Sequence, residues 1–337
     1  MSVTGTILLV LLSGEGYWLG GRTATAQFQW NVKQPLDAAP VTWRLACGDA
    51  SLASGQIVLP SKDRMGKVQL RLPEVRVPTE MRFVYRAAQA GQAKAIAEGA
   101  VAVHVYPDTL LASVAERMKA KQLFVCDEAE GLPAALKSRG VQFVHARGEA
   151  DLQFVCPDVL IVGAERLGKP AADQEKLLNL SAAGTSVLVL RQTQPATLAG
   201  YPLARRLLPP KLVWQADHPL ARHLRLFETP ALGPDGWAIR LPADEPALEI
   251  GWWPGESPGR KPLPIDALVV VKALGKGRIV LCQIPLGPWE TDPRSQLFLA
   301  DALDYLASPV VPTLPPSRRP QAVQPAPTPR VPTLDLP

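Results

Sequence analysis

From Thr23 to Val32 apolar and polar positions alternate without a break. Ala24, Ala26, Phe28, Trp30 and Val32 fall on one side, and Thr25, Gln27, Gln29 and Asn31 on the other. A period of two is the signature of a strand with one buried face. The same period returns in Val41, Trp43 and Leu45; in Val68, Leu70 and Leu72; in Met81, Phe83 and Tyr85; and in Val101, Val103 and Val105. Turn-forming residues separate the runs, among them Gln34-Pro35, Cys47-Gly48-Asp49, Pro60-Ser61-Lys62-Asp63, Pro73 and Pro78. Short strands at regular spacing predict an all-β sandwich over residues 1–107.

The pattern then changes. Leu110, Leu111, Val114 and Met118 recur at helical spacing, Gln122–Cys126 reads as a strand, and Leu132 with Leu136 marks a helix stopped by Gly140. Further strands are expected at Val141–His145, Val159–Gly163 and Ser186–Arg191, with a helix through Leu177, Leu178 and Ala182 between the last two. Strands alternating with helices predict a doubly wound, flavodoxin-like parallel sheet over residues 108–308. Pro195–Ile265 reads as a long insertion with short strands such as Leu248–Trp252. Order returns with Ala267–Lys272 and Arg278–Pro285 flanking the turn Gly275-Lys276-Gly277. A last helix is capped by Asp292, has Pro293 in its first position and carries an apolar stripe of Phe298, Leu299, Ala302, Leu303 and Leu306. Residues 309–337 are dense in proline with little to anchor a core, the composition of a disordered or extended tail.

Composition narrows the function only a little. The chain has 337 residues, 47% of them hydrophobic, enough for two cores. Its net charge of +5 is scattered instead of lining one face, which argues against a nucleic-acid partner. The four cysteines, Cys47, Cys126, Cys156 and Cys282, form no C-x-x-C pair, and Cys126 and Cys282 sit in apolar runs as small buried hydrophobes. Ile7–Leu12 is apolar and Ala24-Thr25-Ala26 has the small-x-small look of a cleavage site, but no basic residue precedes the run. An ordinary N-terminal strand is the expectation, and no segment reaches membrane-spanning length. The compartment stays open: cytoplasmic by default, extracytoplasmic if the chain belongs to a larger exported glycosidase.

Ligands of open α/β sheets sit beyond the carboxyl ends of the strands, so chemistry is sought there. The first such end carries Asp127, Glu128 and Glu130, three carboxylates that could hold a metal or act as acid and base. The competing reading, and the favoured one, is capping of the following helix. The strand ending at Arg191 is followed by Gln192-Thr193-Gln194, with no Cys or Ser and no glycine frame around Thr193. His218 and His223 are five apart, off the spacing that places two zinc ligands on one helical face. Gly255–Lys261 lacks the spacing and hydroxyl of a phosphate loop. Trp252 and Trp253 beside Glu256 suit a sugar ring, with Trp237 and Trp289 as further candidates, although such residues commonly pack a loop onto its own core. No cofactor or metal is expected.

Two sets of motifs carry a resemblance. Tyr17-Trp18-Leu19-Gly20-Gly21, Val41-Thr42-Trp43-Arg44-Leu45, Ala53-Ser54-Gly55, Leu72-Pro73-Glu74-Val75, Met81–Tyr85 and Val103-His104-Val105-Tyr106-Pro107 resemble the immunoglobulin-like accessory domain of glycoside hydrolase family 2, the β-galactosidase-like enzymes. His218-Pro219-Leu220, Gly275-Lys276-Gly277-Arg278-Ile279-Val280, Gln283-Ile284-Pro285 and Asp292-Pro293 are similar to the glutamine-amidotransferase-like domain of some large glycosidases. Family 2 chemistry resides in a β/α barrel with two catalytic glutamates, and a barrel of about 250 residues finds no room here. The amidotransferase-like part lacks the catalytic Cys after Arg191. The resemblance therefore implies a non-catalytic accessory region that supports a catalytic barrel or binds carbohydrate. Two alternatives stand beside it: a small α/β hydrolase or amidotransferase-like enzyme using Asp127, Glu128 and Glu130, and an assembly module forming homo-oligomers.

Overall fold

The structure is a computed structural model. It describes residues 8–11, 16–31, 39–59, 65–88, 95–127, 131–146, 156–167, 171–193, 196–207, 212–227, 235–242, 248–254 and 264–310. The alternating runs at the start become β1 (Leu8–Leu11), β2 (Tyr17–Leu19), β3 (Thr23–Asn31), β4 (Ala39–Cys47), β5 (Ala50–Leu59), β6 (Met65–Arg71), β7 (Thr79–Ala88) and β8 (Ala95–Tyr106). They form a three-stranded sheet, β1-β3-β6, and a five-stranded sheet, β2-β8-β7-β4-β5. Ala26, Val68 and Leu70 of the first sheet and Val41, Leu45, Phe83 and Val103 of the second share one buried cluster, the inner faces that the period of two supplies.

The rest of the chain builds α1 (Ala112–Met118), β9 (Leu123–Cys126), α2 (Gly131–Ser138), β10 (Val144–His145), β11 (Val159–Val162), α3 (Ala171–Ala183), β12 (Ser186–Val189), β13 (Ala196–Leu198), β14 (Tyr201–Leu207) and β15 (Val213–Trp214). Then come α4 (Ala221–Leu224), β16 (Asp235–Leu241), β17 (Leu248–Pro254), β18 (Ile265–Leu274), β19 (Gly277–Cys282) and α5 (Pro293–Ala307). β9, β11, β12 and β19 are buried along their whole length, as expected for strands covered on both faces.

The expected fold class, an immunoglobulin-like sandwich followed by a doubly wound or glutamine-amidotransferase-like sheet, is corrected by this topology. The chain is mostly β, and its large sheet is mixed and curled like half a barrel. Of its eleven strands, β10-β9-β11-β12-β19 run parallel. β18 turns back against β19, and β16, β14, β13, β17 and β15 continue antiparallel from it. The physical cause is the tight turn at Gly275-Lys276, because so short a connection can join only antiparallel neighbours. Gly275 has φ +58, and a Cβ there would run into the backbone of Ala182 at the end of α3. The segment read as a loose insertion supplies the antiparallel strands. β18 is paired on one edge by β19 and β16 in succession and on the other by β17, so the sheet branches there. Curling brings Leu198 of β13 into one cluster with Val189 and Leu281.

The two parts of the chain are joined by specific contacts. Leu19, Tyr106 and Leu297 form a small shared core. Asp108, just after β8, is gripped by two arginines. Arg22 meets its Oδ1 through Nε at 2.9 Å, Arg139 donates to Oδ2 through Nη1 at 3.0 Å, and the Arg139 Nη2 contact to Oδ1 is tighter still. Arg22 also donates to the carbonyl of Glu290 at 2.8 Å. Among the described residues no helix is long and apolar enough to cross a membrane.

Candidate functional site

The carboxyl ends of the parallel strands hold an amide network at the position where sequence reasoning looked for a nucleophile. Gln192, 2% exposed, follows β12. Its Nε2 donates to the carbonyls of Gly163 at 3.0 Å and Leu190 at 2.7 Å, and its Oε1 accepts from the Leu167 N–H at 2.9 Å. Its own N–H donates to Oε1 of Gln283, beyond the end of β19, at 3.1 Å. Next to it Glu165 holds a left-handed backbone, φ +58, and its Oε2 accepts from both the N–H and the hydroxyl of Thr193, at 2.9 and 2.8 Å. Three strand ends are tied together by groups with no nucleophilic character, and the lone hydroxyl, Thr193, is committed to a carboxylate.

Of the three acidic candidates, Asp127 is 4% exposed, and Glu128 and Glu130 lie outside the described residues. The Asp127 carboxylate lies against Gly163, where any Cβ would overlap it, and the Asp127 carbonyl is 2.8 Å from Nε2 of His145. Among the described residues no three His, Cys, Asp or Glu side chains group as metal ligands. His218 accepts from the Leu220 N–H through Nδ1 at 3.2 Å and meets the Tyr305 ring edge-on. Burial, with the charge of Arg278 adding to it, pushes the His218 pKa down to about 4. His223 pairs through Nδ1 with Asp301 at 2.7 Å, so the two histidines serve different partners. Burial pushes the Cys282 thiol up to about 12 against the pull of a backbone hydrogen bond from Ile284.

The tryptophan candidates divide between the two faces of the large sheet. Trp253 and Trp289 are buried in the cluster beneath α1, α2 and α5. Trp237 of β16 and Trp252 of β17 are half-buried against the opposite cluster, on strands that flank β18. Glu256 lies outside the described residues.

A separate cleft of about 390 Å³ opens between the two parts of the chain. One wall comes from β2 and β3, with Tyr17, Trp18, Arg22, Thr23 and Thr25; the other comes from the β19–α5 connection and the start of α5, with Gly287, Pro288, Thr291, Asp292 and Arg294. Tyr17 is held flat by stacking on His104 at 5.2 Å and on Tyr106 at 6.3 Å. Arg294 lies over the Tyr17 ring at 5.1 Å and the Phe227 ring at 4.7 Å. Asp292 caps α5 by accepting from the Arg294 N–H at 3.0 Å, and it also accepts from the Arg294 Nε at 3.1 Å and from the Ser295 hydroxyl at 3.2 Å. Burial raises its carboxyl above the ordinary range, opposed by hydrogen bonds from the Arg294 backbone and from the Ser295 hydroxyl and backbone, and burial likewise lowers the Arg294 guanidinium. The charges offset one another, and Thr23, Thr25 and Thr291 bring hydroxyl-bearing side chains to the walls. Such a cavity is in the size range of small-ligand sites. Sequence reading missed it because its walls lie some 270 residues apart; Gly20-Gly21 beside Tyr17-Trp18, and the Gly287-Pro288 pair before the Asp292 cap, were its only local signals.

No family model matches the chain, and no curated protein matches it. Solved structures that align with it weakly include glycoside hydrolases. One is a family 76 glycoside hydrolase from a bovine Bacteroides thetaiotaomicron strain, at 11% identity and TM-score 0.24 over 34% of this chain and 24% of that one. A β-glucosidase from Listeria innocua aligns at 13% identity and TM-score 0.21 over 31% and 17%. An FMN-binding β-glucuronidase from Facaelibacterium prausnitzii L2-6 aligns at 11% identity and TM-score 0.21 over 57% and 40%. The chain thus spans less than half of each of these proteins, and likeness at this level does not transfer chemistry.

Proposed function

We propose that this chain is a non-catalytic, carbohydrate-associated accessory region of a β-galactosidase-like glycoside hydrolase of family 2, and that the cleft between its two parts is where sugar is held. The cleft carries the reading. Threonine hydroxyls beside a pre-positioned aromatic, Tyr17, with charges that balance one another, suit a neutral, hydroxyl-rich ligand. The sequence resemblance of the first part of the chain to the accessory domain of family 2 enzymes favours the same assignment. A non-catalytic role is further supported by the strand-end crevice, where Gln192 and Gln283 occupy the ground that a nucleophile or an acid and base would need. Trp237 and Trp252 are retained as a candidate second contact.

The test compares aryl-glycosidase activity of the recombinant chain with that of a complex captured on it from its native cells. Activity confined to the captured complex is the expected result. Turnover by the chain alone that falls with Asp127→Asn would favour the acidic-cluster enzyme instead.

A further inference from the structure

We propose that β5 is a pairing edge through which two copies of this chain join their five-stranded sheets about a two-fold axis at Gly55. Among the described residues β5 is the terminal strand of that sheet and pairs only with β4. Its ten residues, Ala-Ser-Leu-Ala-Ser-Gly-Gln-Ile-Val-Leu, include no charge and no proline. Long edge strands are ordinarily protected from pairing by such residues. The contrast within this protein is direct, because β6, an edge of the facing three-stranded sheet, carries Lys67 and Arg71. One bulge sits near the start of β5, with Leu52 as the extra residue between Ser51 and Ala53, and Ala53–Leu59 pairs regularly with β4.

A second copy is the occupant that the side-chain pattern fits. Leu52 and Val58 are 44% and 60% exposed, two of the few large apolar side chains turned to solvent. An antiparallel two-fold pairing centred on Gly55 sets Leu52 opposite the other copy's Val58 and Ser54 opposite its Gln56. Over Leu52–Val58 each apolar side chain then meets an apolar one and each polar side chain a polar one, twice per interface, and no like charges are opposed. Gly55 itself turns towards the Trp43 ring, where a side chain would collide, and leaves the axis clear.

Sedimentation velocity of the full chain over a concentration series tests this. A dimer is expected that becomes monomeric, at least tenfold weaker, in the double variant Leu52→Lys/Val58→Lys, with an unchanged circular dichroism spectrum. In a Cys156→Ser background, Ser54→Cys/Gln56→Cys is expected to give a disulfide-linked dimer in at least fivefold higher yield than either single cysteine. A chain that stays monomeric, a dimer indifferent to the two lysines, or equal cross-linking by single and double cysteines would each overturn the proposal.

Discussion

Gln192→Ala removes the side chain that ties the end of β12 to the end of β11, while the backbone N–H that reaches Gln283 beyond β19 is kept. Two buried carbonyls, of Gly163 and Leu190, and one half-buried N–H, of Leu167, lose their partner at 3.0, 2.7 and 2.9 Å. A buried polar group left without a partner costs about 1–3 kcal/mol, and water entering the space vacated by the amide recovers part of that for the carbonyls. The expected loss is about 3 kcal/mol, a large fraction of the roughly 5–15 kcal/mol by which folded proteins are stable. Urea unfolding followed by tryptophan fluorescence measures it, with Trp253 and Trp289 as buried reporters in the same part of the chain. Gln192→Glu sharpens the test, since it keeps the shape but turns a carboxylate oxygen towards two carbonyls. That carboxyl would have a folded pKa above its unfolded value of about 4.3, so the variant should lose stability as pH rises from there through the folded value. Below this window, protonated, it should recover towards wild type. A cost under about 0.5 kcal/mol for Gln192→Ala would refute the reasoning, because the network would then be incidental to the fold.

Gly163→Ala should destabilise by about 2 kcal/mol or more in thermal unfolding, since the added Cβ collides with the buried Asp127 carboxylate. Native protein treated with a thiol reagent should label Cys156, which is exposed, well before Cys126 and Cys282, which are buried and should react only on unfolding. His218 has a folded pKa of about 4 against an ordinary 6.5, so it supports folding above pH 6.5 and that support is lost as pH falls towards 4. Allowing for its partial exposure, the wild type should lose about 1–2 kcal/mol relative to His218→Gln across that interval, read from urea midpoints at each pH.

Much of the fold could be read locally. The alternation at Thr23–Val32 is met by β3, and the Asp292-Pro293 start of the last helix is met by α5 with its side-chain cap. The strand expected at 141–145 shrinks to Val144–His145, at the sheet edge where both residues are exposed. The antiparallel extension stayed hidden because its strands lack the continuous apolar run of a doubly covered strand. β14 contains Pro202, Arg205 and Arg206, and its burial alternates. A strand's own pattern shows which face is buried but not which direction its neighbour runs, and direction decided the architecture here. The site suffered the same limit in a stronger form. Trp252 and Trp253 were legible as aromatics but are adjacent on one strand and so point to opposite faces. The cleft needs Tyr17 and Arg294 together, which only the docking of the two parts provides.

The most direct test of the account is a calorimetric titration of the full chain with a panel of neutral β-linked galacto- and gluco-oligosaccharides, repeated on Thr25→Val/Thr291→Val. Those substitutions delete hydroxyls from both walls of the cleft with little change of shape. Saturable binding by the wild type that weakens at least fivefold in the variant is the predicted result. No saturable binding across the panel, or binding that the variant leaves untouched, would contradict the assignment of the cleft as the place where sugar is held.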